Sequence, residues 1–226
     1  MDTLTTVYLI RHSEKIDNKL LDNSNNNEYY QTRREKIILS VEGEKKAEKL
    51  SKLKEFEGID VIFSSNYARA IQTAKYLAER KSLVIHIDDR FNERKLGIQQ
   101  EDELMYIKQY YDENIKNIEG ESRKEVTDRM LEGFLNAVNN NKGKKIVIFT
   151  HGASMTFLLM KWCKLEYIRE DKHKCLSFKN KVVIDRKFNA PEMFKLLVDD
   201  NSNVISIENI ALEENWKNLK YVMTWS

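Results

Sequence analysis

Arg11-His12, Arg69, Glu93 and Thr150-His151-Gly152 are the residues of this chain whose types could do chemistry together. Two guanidiniums offer planar, paired donors that match phosphate oxygens. A histidine can attack phosphorus, and a carboxyl can hand a proton to the departing oxygen. That inventory suits phosphoryl transfer without a metal. Singly, each residue has an ordinary explanation: a lone histidine at a strand end is more often satisfied structure than a catalyst, and a lone arginine is usually a surface charge. The set is harder to dismiss, because each member follows an apolar, strand-like run. Val7-Tyr8-Leu9-Ile10 leads into Arg11-His12-Ser13-Glu14, and Val61-Ile62-Phe63 into Ser64-Ser65 and a helix opening at Arg69. Residues 83–87 lead through Asp88 and Asp89 to Arg90 and Glu93, and Ile146-Val147-Ile148-Phe149 leads into Thr150-His151-Gly152. Ligands of open α/β sheets bind outside the carboxyl ends of the strands. These four ends are expected to deliver their polar residues to one rim.

The elements that must position them follow from hydrophobic periodicity. Strands are expected at 6–10, 59–63, 83–87, 145–150 and 203–208, with a weaker one at 181–185. Helical spacing is expected over 42–56, 69–80, 102–118, 121–138 and 153–163. Strands alternating with helices predict an α/β fold, a three-layer α/β/α sandwich with a mostly parallel central sheet. The Asn23-Ser24-Asn25-Asn26-Asn27 run reads as an exposed loop. No Pro/Gly-rich linker divides the chain, so residues 1–226 are expected to form one domain.

The ordered motifs resemble the histidine phosphatase (phosphoglycerate mutase-like) superfamily, branch 1. Arg11-His12-Ser13-Glu14, with Asn18 beyond it, is similar to the family's Arg-His-Gly opening. Leu39-Ser40-Val41-Glu42-Gly43 is similar to its Leu-Ser/Thr-x-x-Gly helix start. Ser64-Ser65, followed by Arg69-Ala70-Ile71-Gln72-Thr73-Ala74, is similar to its Ser-Ser…Arg-Ala-x-Gln-Thr-Ala segment. Asn92-Glu93-Arg94, Gly120-Glu121-Ser122 and Thr150-His151-Gly152 complete the series in order. The resemblance covers roughly residues 5–155 and fades beyond Gly152.

The resemblance implies roles. His12 would be the nucleophile that becomes phosphohistidine, and Arg11, Arg69 and His151 would surround the phosphoryl oxygens. Asn18 would add a neutral donor, Gly152 would line the phosphate site, and Glu93 would protonate the leaving alkoxide and then help activate water. For that step the Glu93 pKa should sit near working pH, through partial burial or a neighbouring anion. Ser13 stands where the family usually has glycine; its hydroxyl either donates to phosphate or turns away. Arg94 and Lys95 either contact a second anionic group on the substrate or are solvated loop charges. Mutases of the superfamily carry a Gly- and Pro-rich insert after the Asn-Glu-Arg segment. Here Gly97-Ile98-Gln99-Gln100-Glu101-Asp102 passes straight into a helical pattern without proline. The expectation is an enzyme, a histidine acid phosphatase-type phosphomonoester hydrolase with a helical cap at about 99–120. Mutase-type transfer is the alternative, and a non-catalytic phosphate-binding module a further one.

Composition bounds the partners. The 226 residues carry 38 Lys+Arg against 36 Asp+Glu, a net charge of +2 that suggests no general affinity for nucleic acid. No apolar run approaches the ~20 residues of a membrane helix, and Met1-Asp2-Thr3-Leu4 lacks a basic signal-peptide start. Cys163 and Cys175 form neither a disulfide framework nor a zinc pattern, which fits a reduced, cytoplasmic protein. His86 reads as structural and His173 as surface; a metal site through His173 and Cys175 lacks further ligands. The expected ligand is a small phosphorylated metabolite, with no cofactor and no metal.

Overall fold

A computed structural model of the chain describes residues 4–17, 34–98 and 105–212. Asn18, residues 99–104 of the expected cap and the Asn-rich run lie outside the described residues.

Four parallel strands form the heart of the sheet: β1 (Thr5–Arg11), β2 (Val61–Ser64), β3 (Ile85–Ile87) and β4 (Lys145–Thr150). Two more, β8 (Glu192–Val198) and β9 (Val204–Ile210), extend it in the order β3-β2-β4-β1-β8-β9. Strand β8 runs antiparallel to both β1 and β9. Alternate residues of each strand face opposite layers, as the pleat requires. Val7, Leu9, Ile146 and Ile148 meet Val126, Met130 and Phe134 of the helix α4 (Arg123–Asn139) and Phe157 of α5 (Gly152–Leu159). On the other face, Tyr8, Ile10, Val147 and Phe149 meet Leu50 of α1 (Val41–Leu50) and Ala74 and Leu77 of α2 (Ala68–Lys81). Helices therefore cover both faces of a mostly parallel sheet, as the alternating pattern predicts.

The register explains why chemistry collects at one edge. Arg11 pairs with Thr150, Ser64 with Phe149, and Ile87 with Ser64, so the parallel strands end level. Two of the expected helices end early for local reasons. The α3 helix (Met105–Tyr111) stops early because the Asp112 carboxylate turns the chain, accepting the Asn114 N–H at 2.9 Å. The α5 helix ends at Leu159, where Lys161 and Trp162 bond back three residues rather than four. Between α5 and β8 lies an antiparallel sheet of β5 (Lys164–Ile168), β6 (Lys174–Phe178) and β7 (Lys181–Arg186), of which the periodicity picked out only β7.

The Leu39–Gly43 motif clamps the turn after β1. Ser40 caps α1, its Oγ accepting from Gly43 N at 2.9 Å and donating to Glu14 Oε1 at 3.0 Å. A Cβ on Gly43 would sit 1.9 Å from the Glu14 carbonyl oxygen, a clash with backbone that no rotamer relieves. Gly43→Ala is expected to cost about 3 kcal/mol of unfolding free energy. A urea midpoint equal to that of the parent would show that the turn yields instead.

Candidate active site

His12 follows directly from β1, and its N–H continues the ladder to the Thr150 carbonyl at 2.9 Å. The ring is 5% exposed, with Nδ1 2.7 Å from the Ser13 carbonyl. A carbonyl only accepts, so Nδ1 carries the proton and Nε2 keeps its lone pair. Burial, with the charges of Arg69, His151 and Arg11, holds the imidazole well below its ordinary pKa. Ser13 is fully buried: its N–H donates to Thr73 Oγ1 at 2.9 Å and its hydroxyl to the Gly43 carbonyl at 2.7 Å. The hydroxyl proton that a phosphate would use is given to Gly43, so the side chain turns away, the second of the two orientations open from sequence.

Arg11 ends β1 with Nη1 donating to the carbonyls of Phe188 and Asn189, both at 2.9 Å. Gly152 lets this guanidinium lie on the first turn of α5; a Cβ there would come 3.3 Å from Arg11 Nε. Arg69 is 4% exposed, with Nη1 donating to the Arg34 carbonyl at 2.6 Å and Nη2 to His151 Nδ1 at 3.0 Å. Burial and the nearby Arg34 and Arg11 bring its pKa down to about 10, against the opposing pull of Glu93, which still leaves it charged near neutrality. The Nε atoms of Arg11 and Arg69 are both buried with no hydrogen-bond partner among the described residues.

His151 is fully buried, its ring centroid 5.1 Å from that of His12. It accepts from Arg69 at Nδ1, so Nε2 carries the proton and donates to Ser65 Oγ at 2.8 Å. Ser65 passes the chain on to Asn92 Oδ1 at 2.7 Å. Burial, then Arg69 and Arg34, hold this imidazole neutral.

Glu93 enters from the loop after β3. Its Oε1 accepts from the amides of Arg94 (3.0 Å) and Ser154 (3.1 Å), the latter in the first turn of α5. Burial pushes the carboxyl up, but Arg34, the Arg94 amide, Arg69 and the Ser154 amide outweigh it and hold it below the ordinary carboxylate value. The expected near-neutral pKa is thus not a property of the unliganded protein. The Gly120-Glu121-Ser122 motif steadies this loop. Ser122 and Glu125 form a capping box on α4, and Glu121 grips Arg129, whose Nη1 donates to the carbonyls of Arg90 and Asn92. Gly97, at φ +66°, passes so close to Ile118 and Gly120 that a Cβ would fall 2.2 Å from the Ile118 oxygen.

A cavity of about 290 Å³ adjoins this cluster, walled by Arg11, Glu93, Tyr106, Tyr110, Lys174 and Phe188 among others. Arg94 is not on that wall. It is 4% exposed, bonded to Gln109 and stacked 5.7 Å over Phe157, so it is not a solvated loop charge. His173 is half-buried and pairs with Asp185 at 2.8 Å, while His86 is exposed on β3, 5.5 Å from the Phe63 ring. Cys163 and Cys175 are buried and free. Among the described residues, no group of three or more His, Cys, Asp or Glu is placed to hold a metal ion. No helix among them is long and apolar enough to cross a membrane.

Several site residues had no claim from sequence. Ser65, Thr73 and Asn92 stood inside the motifs but without roles of their own. Arg34 and Lys15 add positive charge that reaches Arg69, and nothing distinguishes them from the chain's other surface-type cations. Lys174 was concealed beside His173 in a charged run; one residue on, at the start of β6, the side chain is 4% exposed.

Comparison with known proteins bears on this geometry. A family model described as the histidine phosphatase superfamily (branch 1) matches residues 7–183. The uncharacterized phosphatase PhoE of Bacillus subtilis (strain 168) is 32% identical over 124 residues, 54% of this chain and 63% of that protein. The match thus spans less than two thirds of that relative's length. Bacillus stearothermophilus YhfR superposes with a TM-score of 0.64 at 21% identity, over 92% of this chain and 98% of that one. A mycobacterial glucosyl-3-phosphoglycerate phosphatase with VO3 gives 0.62 at 21% identity, over 91% and 97%. At such identities the likeness is one of fold.

Proposed function

Because the chain belongs to branch 1 of the histidine phosphatase superfamily, we propose that it hydrolyses small phosphomonoesters, without a metal ion, through a phosphohistidine on His12. The observation that carries this reading is the His12 ring. Its Nδ1 proton is fixed on the Ser13 carbonyl, and its neutral Nε2 lies among buried guanidiniums whose Nε donors are unpartnered in the described residues. An imidazole so fixed is a nucleophile at neutral pH and below, and the donors match the oxygens of a phosphoryl group.

In this mechanism Nε2 attacks phosphorus while Arg11 and Arg69 hold the charge that spreads over the equatorial oxygens. His151 keeps Arg69 in place and lies beside the phosphoryl group, and Asn18 adds a neutral donor. The P–O bond to the leaving group breaks as Glu93 protonates the departing oxygen, giving an alcohol. Glu93, now a carboxylate, takes a proton from the water that attacks the phosphohistidine. Inorganic phosphate leaves, and Nε2 regains its lone pair.

A bound phosphoryl dianion is the neighbouring anion that raises the Glu93 pKa for this step, as like charges do. The segment at about 99–120 serves as the cap of a single domain, with Tyr106 and Tyr110 on the cavity wall. Arg94 belongs to its support, through Gln109 of α3. Free, buried cysteines accord with work in a reducing cytoplasm. The fold is shared with structures holding VO3 and inorganic phosphate, which accords with a small phosphorylated metabolite as substrate.

Hydrolysis of p-nitrophenyl phosphate is expected to persist in excess chelator, and its complete loss would sink the metal-free step. Transfer between the hydroxyls of phosphoglycerate, with no phosphate released, would instead make the protein a mutase.

A further inference from the structure

We propose that Lys174 forms an anion subsite on the leaving-group side of the cavity, so that the preferred substrates are phosphomonoesters carrying a second anionic group, a carboxylate or a second phosphate. This rests on the phosphatase reading above and narrows its substrate class.

Lys174 opens β6, where β5 and β7 flank it through Ile168 and Arg186. It lies on the cavity wall with Arg11 and Glu93, yet it is only 4% exposed. A buried ammonium is costly unless ionic or hydrogen-bonding partners replace its water. Lys174 has little of either. Its Nζ sits 3.9 Å from the centre of the Phe188 ring, and the hydroxyl oxygen of Thr156 is 3.4 Å away, a long contact for a charged donor. That hydroxyl already donates to the Gly152 carbonyl at 2.7 Å. Among the described residues Lys174 makes no ion pair, although most lysines in pairs here are well exposed. An ammonium has three N–H donors, so most of its bonding capacity is uncommitted beside the reaction centre.

The surroundings favour an anion over any other occupant. The wall carries Arg11, Lys172, Lys174 and Lys187 against Glu93 and Asp171. Lys187 and Asp171 pair with each other at 3.1 Å, and Lys172 lies 5.7 Å over the Tyr106 ring. The remaining charge is net positive, beyond the Arg11–Arg69 pair assigned to the transferred phosphoryl group. Burial, with Arg11 adding to it and Glu93 and Glu192 opposing, lowers the Lys174 pKa to about 8. The ammonium is therefore largely protonated at neutral pH, and a ligand anion would stabilise it further.

The test compares paired esters: 3-phosphoglycerate against glycerol 3-phosphate, and propane-1,3-diyl bisphosphate against 3-hydroxypropyl phosphate. The parent protein is expected to favour the anion-bearing member of at least one pair by tenfold or more in kcat/KM, and the larger preference identifies carboxylate or phosphate. Lys174→Met should remove most of that preference, and Lys174→Arg should keep it. Raising the pH from 7 to 9 should erode the preference in the parent with a midpoint near 8. The methionine variant should unfold at a urea midpoint no lower than the parent's, since its buried side chain needs no ionic partner. Three results would overturn the subsite: no preference in the parent, a preference that survives Lys174→Met, or an equal loss on both members of a pair. Failure of the parent to hydrolyse these esters and p-nitrophenyl phosphate would overturn the phosphatase reading and the subsite with it, whereas turnover without preference removes the subsite alone.

Discussion

Replacing His12 by alanine is expected to lower kcat for p-nitrophenyl phosphate by about four orders of magnitude or more. The size of the loss follows from the absence of a substitute among the neighbouring groups. His151 is the nearest comparable ring, but both its nitrogens are engaged, Nδ1 accepting from Arg69 and Nε2 donating to Ser65. Freeing either one would break the chain that orients Arg69. Glu93 is held by two backbone amides at the start of α5 and is a weaker nucleophile towards a phosphoryl dianion than a neutral imidazole. The backbone of His12 keeps its bond to Thr150 in the variant, so β1 and β4 stay in register. Phosphate binding should persist, because Arg11 and Arg69 remain, and it can be read as a rise in Tm with added phosphate. Rapid quench with labelled ester should trap acid-labile, base-stable label on the parent protein and none on the variant. Label on the variant, or a rate within tenfold of the parent's, would end the assignment of His12.

Much of this site was legible because parallel strands impose it. Apolar runs ending in Arg11-His12, Ser64-Ser65 and Thr150-His151 must, once paired in parallel and in register, bring those residues to one edge. The motif residues without chemistry of their own were legible only as a pattern, and their work is done through contacts made in the fold. Gln72 accepts the Leu39 N–H at 2.7 Å, and Thr73 ties Ser13 to Arg69. What escaped is what depends on distant partners. The β8 strand reads Glu-Met-Phe-Lys-Leu-Leu-Val, with a single β-branched residue, and its composition suits a helix as well as a strand. It is a strand because β1 and β9 pair with it on either side. Lys174 and Arg34 are undistinguished in a chain that is 33% charged, since only tertiary packing decides which cations lose their water.

Glu93→Gln is expected to slow alkyl phosphates by about 10²–10⁴-fold in kcat/KM while slowing an aryl phosphate far less. An alkoxide is a poor leaving group and needs the proton; a nitrophenolate does not. The comparison is made in kcat/KM because that ratio covers only the steps through phosphohistidine formation, leaving out the later attack of water, in which Glu93 also takes part. The pH dependence has a definite sign. In the unliganded protein burial raises the carboxyl, but Arg34, two amides and Arg69 outweigh it and hold it below its ordinary value, so it is a carboxylate at neutral pH. The proton used on the leaving group must then arrive with the ester, whose second phosphate pKa is about 6. Below that pH the monoanion brings it, and Glu93 accepts it once the phosphoryl dianion sits alongside. Above that pH kcat/KM for alkyl phosphates should fall about tenfold per pH unit. His12 does not oppose this trend, since its depressed pKa keeps Nε2 unprotonated on the acid side as well. The glutamine variant should show a nearly flat profile over the same range. Equal losses on alkyl and aryl esters, or an unchanged pH profile in the variant, would remove Glu93 from the proton transfer and leave it as a support for Ser154 and the start of α5.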